Sequence, residues 1–200
     1  MPYDYSDAPP QRELIPANTV ATCCLHIQGG GAGEGGMLKL SRDGHCAMLS
    51  LEITLLDGEF AKRKLWENWI VEGVDHAKAI EISRSRIKAV LDSALGLDPK
   101  DVSPQARAAR TKSYKELEGL NFLGKIGIEK GAPKNDGSGE NWPDKNILAA
   151  IITPDRREWH PILQPPPFNG GGPATSGSAA PSSSAPPTST PPITRPGWAS

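Results

Sequence analysis

The chain is short of cysteine, has no long apolar run and carries no excess charge of either sign. Three cysteines in 200 residues, Cys23, Cys24 and Cys46, cannot make a disulfide framework. Reduced thiols in a cytoplasmic protein are the expectation. The longest apolar run, Ile147–Ile152, falls far below the roughly 18 residues of a membrane span. The 22 basic and 23 acidic groups balance, so no global field draws in nucleic acid or an anionic membrane. The opening MPYDYSDAPP has neither the basic nor the apolar region of a secretion signal. No C-x-x-C pair and no G-x-S-x-G elbow is present, so no metal, cofactor or catalytic residue is expected and the chain is not read as an enzyme.

What the chain does have in excess is glycine and proline, and both are localised. Eleven of the 20 prolines lie in residues 161–200, a segment with no acidic residue and Arg195 as its one base. Such a tail cannot bury enough apolar surface to offset its ordering entropy and is expected to be disordered. Residues 1–17 read as a loose arm, leaving a folded domain over 18–160. Within it, Thr19–Gln28 is rich in β-branched and apolar residues. Cys46–Leu56 alternates, with Leu49, Leu51, Ile53 and Leu55 on one face and Ser50, Glu52 and Thr54 on the other. A turn at Asp57-Gly58-Glu59 leads into a third strand over 60–71. A helix is expected over 75–95, with Asp75 as cap and Gly96 as its left-handed exit. Ser103-Pro104 opens a short helix and Ser113–Glu116 fits a capping box. Strands at 122–129 and 146–153 complete the series.

Three strands, a helix and two strands is the order of an OB barrel. The expected fold is therefore mainly β, an OB-like barrel of five to six strands with one main α-helix between strands three and four. The loops that flank the binding face of such a barrel would be 29–45 and 130–145, the two most glycine-rich stretches of the folded part. Either they are adjustable lips around an extended ligand, or long loops that are merely rich in glycine. Gly31–Gly36 matches G-x-G-x-x-G, but Met37-Leu38-Lys39-Leu40 follows where a dinucleotide site needs a helix.

Regional charge says more than the total. Residues 100–134 carry eight basic and four acidic groups, while residues 1–59 carry three and eight. The sharpest feature is Lys62-Arg63-Lys64-Leu65-Trp66, where Lys62, Lys64 and Trp66 share a strand face by period two. With a three-residue turn they lie across from Thr54, Glu52 and Ser50. A turn one residue different would point Trp66 inward instead. Cations beside an aromatic on an open strand face suit a single-stranded nucleic acid, the cations following phosphates and the ring stacking on a base. Cys23, Cys24, His26, His45 and Cys46 form the one metal-like cluster, read as core thiols rather than ligands. The carboxylates Asp43, Glu52, Asp57, Glu59, Glu67 and Glu72 are read as solvated surface.

Several stretches together carry a resemblance. They are Tyr3-Asp4-Tyr5-Ser6, Leu14-Ile15-Pro16, the glycine loop into Met37-Leu38-Lys39, LEITLLDGEFAKRKLW at 51–66, Ala79–Arg84, Ala94-Leu95-Gly96, Leu123-Gly124-Lys125 and Asp144-Lys145-Asn146. The chain resembles a family of bacteriophage and prophage proteins suspected of binding single-stranded DNA and encoded near phage replication and recombination functions. The resemblance covers about residues 3–155 and implies an OB-like fold, no catalytic residue and residence in the host cytoplasm. Arg63 and Trp66 match the recurring Arg and Trp of the D-G-x-[FY]-x-x-R-x-x-W string, and Lys125 the recurring Lys of the fourth strand. On this reading Arg42, Lys62, Arg63, Lys64, Lys125 and Lys130 contact phosphates. Trp66 stacks, with Trp142 as a second platform. Single-stranded DNA, bound independently of its sequence, is the expected partner, with phage recombination or replication proteins beside it, no membrane, and a homo-oligomer left open. The tail ends Arg195-Pro196-Gly197-Trp198-Ala199-Ser200, without the acidic tip typical of bacterial single-strand binders. The alternative is a protein-interaction module docking a phage recombinase or polymerase through Trp69, Trp159 and the basic stretch 107–115. A metal-dependent nuclease is the remote third.

Overall fold

A computed structural model describes residues 13–135 and 139–165. Residues 1–12 of the expected loose arm over 1–17, and residues 166–200 of the expected disordered tail, lie outside the described residues. The elements are β1 (Val20–Gln28), β2 (Lys39–Leu40), β3 (Cys46–Leu55), β4 (Lys64–Gly73), α1 (Ala77–Leu95), α2 (Pro104–Arg110), β5 (Asn121–Glu129) and β6 (Lys145–Ile152). The protein is mainly β, with one six-stranded antiparallel sheet and two helices. β4 pairs with one side of β3, while β1 and the short β2 share its other side. β5 then follows β1, and β6 follows β5.

The alternation in β3 is realised: Leu49, Leu51, Ile53 and Leu55 are buried, and the residues between them are half-buried. Together with Cys23, Leu25, Leu65, Trp69, Phe122, Ile126 and Leu148 they form the core. The third strand begins at Lys64 rather than residue 60 and runs to Gly73. The connection is longer than a tight turn. Lys62 takes a left-handed φ of 68°, its N–H bonds to the Leu55 carbonyl, and Leu55 N–H bonds to Arg63 O. The register is therefore Thr54↔Lys64 and Glu52↔Trp66, two residues from the expected one. A shift of two keeps every side chain on its face, so Trp66 still points outward.

The sheet is not closed into a barrel by backbone pairing: no ladder joins its edge strands β4 and β6. Side chains fill that seam instead. The Glu67 carboxylate, on β4, accepts the Leu148 N–H of β6 at 2.9 Å. Its other oxygen accepts from the Trp69 indole at 2.7 Å and from Arg86 of α1 at 2.5 Å. At the end where β4 and β6 begin, residues 13–15 lie in the gap. Asn146 pairs its side-chain amide with both the N–H and the carbonyl of Ile15, each at 2.8 Å, and Arg63 donates to the Glu13 carbonyl at 2.8 Å. Ile15, placed by the sequence reading in a loose arm, is 0% exposed and part of the core.

α1 packs on β4, β5 and β6. Asp75 does not cap it: His76 is the cap residue and contributes no side-chain bond, whereas Gly96 leaves with φ 67° as expected. Asp92 is 0% exposed and is held by Arg110 at 2.6 Å and Lys88 at 2.7 Å. Arg110 continues to the Asp98 carbonyl at 2.8 Å and Lys88 to the Pro99 carbonyl at 2.9 Å, which fixes the link between α1 and α2. Ser103 caps α2 through Ala106 N–H, and Ser113–Glu116 forms its capping box on a short 3-10 turn. Beyond β6 the chain returns across the end of α1, where Trp159 donates to the Ser93 carbonyl at 3.2 Å. Gln164 bonds to Ala94 O and to both backbone groups of Asn121, so the folded part reaches past residue 160.

The seam carries a direct test. Glu67→Ala leaves the Leu148 N–H, the Trp69 indole and Arg86 without their common acceptor. Urea unfolding should show a loss of about 3 kcal/mol. Glu67→Gln, which keeps an oxygen for Leu148, should lose distinctly less. Equal losses would mean that the charge alone matters and the edge bond does not.

Candidate nucleic-acid interface

The outer face of β1, β3 and β4 is the open face of the sheet. Across β3 and β4 its rows are Met48 with Ile70, Ser50 with Asn68, Glu52 with Trp66 and Thr54 with Lys64. The next rows pair His26 with Glu52 and Gln28 with Ser50 across β1 and β3. The two glycine-rich loops leave opposite ends of these strands. The 29–45 loop departs where β1 ends and β3 begins, and the 130–144 loop departs where β5 ends and β6 begins, beside the starts of β1 and β4.

The expected site residues fall into three groups. Trp66, third in β4 and 65% exposed, and Trp142, 60% exposed in the second loop, leave much of their surface to solvent. Arg42, in the turn before β3, and Lys62, in the turn before β4, are exposed cations in no ion pair among the described residues. The remaining cations have partners. Arg63 is half-buried on the Glu13 carbonyl. Lys64 pairs with Glu52 at 2.6 Å, Lys125 with Glu158 at 3.2 Å and Lys130 with Asp144 at 2.6 Å. The hydrogen bond from Lys64 is the main cause that holds the Glu52 carboxyl below its ordinary range, and that from Lys130 does the same for Asp144. The face is therefore much closer to neutral than a run of three cations implies. Surface pairs like these contribute little each and can be exchanged for a phosphate, though Glu52, 19% exposed, is the least accessible of the three carboxylates.

The second loop is built rather than slack. Pro133 and Asn141 form an isolated bridge, Trp142 N–H bonds to Ala132 O, and Lys134 lies 5.8 Å from the Trp142 ring centre. Gly131 packs so close that a Cβ there would sit 1.5 Å from the Trp142 carbonyl oxygen. The first loop is also folded on itself. Gly30 and Gly31 N–H share the Gly36 carbonyl, Ala32 pairs with Leu38, and a Cβ on Gly30 would meet Lys39 Cα at 2.4 Å. Its glycines serve tight packing and left-handed turns.

Three residues that matter here were read otherwise or passed over. Glu118 accepts the Ile27 N–H at 2.6 Å and lies 2.9 Å from His26, finishing the edge of β1 where β5 stops. Asp57, read as solvated surface, accepts both the N–H and the hydroxyl of Thr22. Glu67 is the seam residue above. A partner some 90 positions away leaves no local sequence signal. Of the docking residues of the alternative, Trp69 is buried, Trp159 half-buried on Ser93 and Arg110 locked on Asp92, whereas Arg107, Lys112 and Lys115 are exposed.

The cysteines are buried, and Cys23 and Cys24 point to opposite faces of β1. Among the described residues no three His, Cys, Asp or Glu side chains converge as metal ligands would. Burial, with a smaller push from Asp57, raises the Cys23 thiol from 9.0 to about 12. The fold thus favours the neutral thiol, a contribution present below pH 9.0 and lost as pH rises toward about 12. A thiol reagent at mildly alkaline pH should leave the three cysteines unmodified until denaturant is added. Rapid native labelling would overturn this placement.

No family model and no curated protein matches the sequence, so the function is read from these residues alone.

Proposed function

We propose that the protein is an OB-like single-strand binder that takes DNA, without sequence dependence in its main contacts, across the outer face of β3 and β4 during phage replication or recombination. The observation that carries this reading is Trp66: a large indole, 65% exposed as the third residue of a paired ten-residue strand. An exposed tryptophan at such a place adds nothing to the core and offers a stacking surface worth about 1–3 kcal/mol per base. Lys62 and Arg42 stand near opposite ends of the strands, where the backbone of an extended strand enters and leaves. Lys64 releases Glu52 to meet a phosphate between them. Trp142 gives a second platform from the loop over 130–144. The strand order β4-β3-β1-β5-β6, with the helix after the third long strand, supports the OB-like reading, with the seam sealed by Glu67 and Ile15 in place of a backbone ladder.

The test is anisotropy of a labelled thymidine oligomer of about 15 nucleotides, titrated with the full chain at about 50 and about 200 mM salt against duplex competitor. Binding should resist duplex and weaken with salt. Trp66→Ala should cost about ten-fold or more in affinity. Lys62→Ala should lower the log–log salt slope by about 0.7, one phosphate on a single strand. No binding at low salt would sink the proposal and turn attention to protein docking. The 480 Å³ groove between α1 and β6, floored by Ile82, Ala89 and Leu148, would then be the first surface to examine.

A further inference from the structure

We infer that one base of the bound strand is read as guanine, by Glu52 acting beside the Trp66 stacking platform. The inference rests on the single-strand reading above and deepens it. Glu52 is the direct cross-strand neighbour of Trp66. Side chains at such positions start about 5 Å apart at Cβ and lie against each other on the same face. The other groups around the ring are Ser50 and Thr54 on the diagonals and Lys64 and Asn68 two positions along β4. Hydroxyls and an amide both donate and accept, so they discriminate weakly between bases. The ammonium donates in any direction and is drawn to phosphate. Glu52 is the one group of this ring that only accepts.

Its state and position suit that role. Lys64 at 2.6 Å keeps the carboxylate ionised, and the indole N–H of Trp66 adds a smaller pull in the same direction. The register places the Glu52 carboxylate on the same face beside the Trp66 ring, within reach of the edge of a base stacked there. Only one oxygen is held by Lys64; the other has the long 3.5 Å contact with Gln28. When Lys64 turns to a phosphate, two oxygens are free to accept side by side.

Guanine is the base that fits. Its N1–H and N2–H₂ point from one edge as two adjacent donors, matching a carboxylate in a bidentate pair. Thymine offers one N–H between two carbonyls, which an ionised carboxylate repels. Cytosine and adenine each set an amine beside an acceptor nitrogen and can satisfy one oxygen only. A bidentate contact discriminates strongly in a dry groove. On a face as open as this one, a preference of about five- to ten-fold is expected.

The experiment compares thymidine oligomers carrying a single central dG, deoxyinosine, dA, dC or dT, bound by the wild-type chain and by Glu52→Gln, with folding checked by circular dichroism. Deoxyinosine keeps N1–H but lacks the N2 amine. The expected order for wild type is dG tightest, deoxyinosine between, and dT weakest. Glu52→Gln should bind the all-thymidine oligomer tighter than wild type, because one repulsive charge is gone and Lys64 is released. It should also lose the dG advantage. Equal affinity for dG and dT, or an advantage that survives Glu52→Gln, overturns the guanine assignment while leaving single-strand binding in place. Failure of every oligomer to bind overturns both.

Discussion

The fold depends on side-chain oxygens finishing backbone ladders where strands run out of partners. A buried N–H without an acceptor costs about 1–3 kcal/mol, so an open, curled sheet must cover its edges or lose its stability. Glu67 takes the Leu148 N–H across the β4–β6 seam, and Asn146 serves both backbone groups of Ile15 at the end of that seam. Glu118 takes Ile27, Asp57 takes Thr22, Ser93 takes Leu123 and Gln164 takes Asn121. Each is a long-range tie, and together they make a curled sheet without a closing strand pair. Glu67 is the most demanding of them, because its carboxylate is also the anchor for Arg86 and the Trp69 indole. Sheet, helix and buried aromatic meet on one side chain.

That arrangement decides which face is left for a ligand. α1 lies over the seam side of the sheet, and the segment after β6 covers the end of α1. Glu118 and the 119–120 backbone close the far half of β1. What stays open is the outer face of β3 and β4, and it is there that an indole stands unpacked. Most other tryptophan in the described chain is put to structural use: Trp69 in the core and Trp159 on Ser93. Among the described residues only Trp66 and Trp142 leave most of their surface to solvent, one on the sheet and one on a loop braced by Gly131.

The sequence made the strand order, the main helix and its glycine exit legible, because period-two and helical patterns are local. The outward face of Trp66 was legible too, although the register was two residues off. An even error in loop length leaves side-chain faces unchanged, and the positive φ of Lys62 that lengthens this turn has no composition signal. The seam was not legible. Nothing in the string around Glu67 separates a carboxylate that closes a sheet from one that faces water, since its partner lies 81 positions away. The same holds for Ile15, whose neighbours are polar and whose proline-rich surroundings read as a loose arm. The Glu158 partner of Lys125, 33 positions away, was hidden for the same reason, whereas the expected register already set Lys64 across from Glu52; the cation count still overstated the field that the face presents.

A nearly neutral face changes what kind of binder this protein is on the proposed reading. Where cations stand alone, affinity comes from released counterions and is indifferent to sequence. Here three of the six cations of the candidate interface are held by carboxylates, and binding must exchange each carboxylate for a phosphate. The electrostatic gain per contact is then smaller, and a larger share of the affinity falls to the stacked rings. Stacking itself tolerates any base, but it fixes the plane in which the base edge lies. An ionised acceptor at the rim of that plane reads the edge at no extra ordering cost, because Trp66 has already positioned it. On that reading the pairing of Glu52 with Lys64 serves two states: in the free protein it satisfies a half-buried carboxylate, and in the proposed complex it divides into one group for the backbone and one for the base.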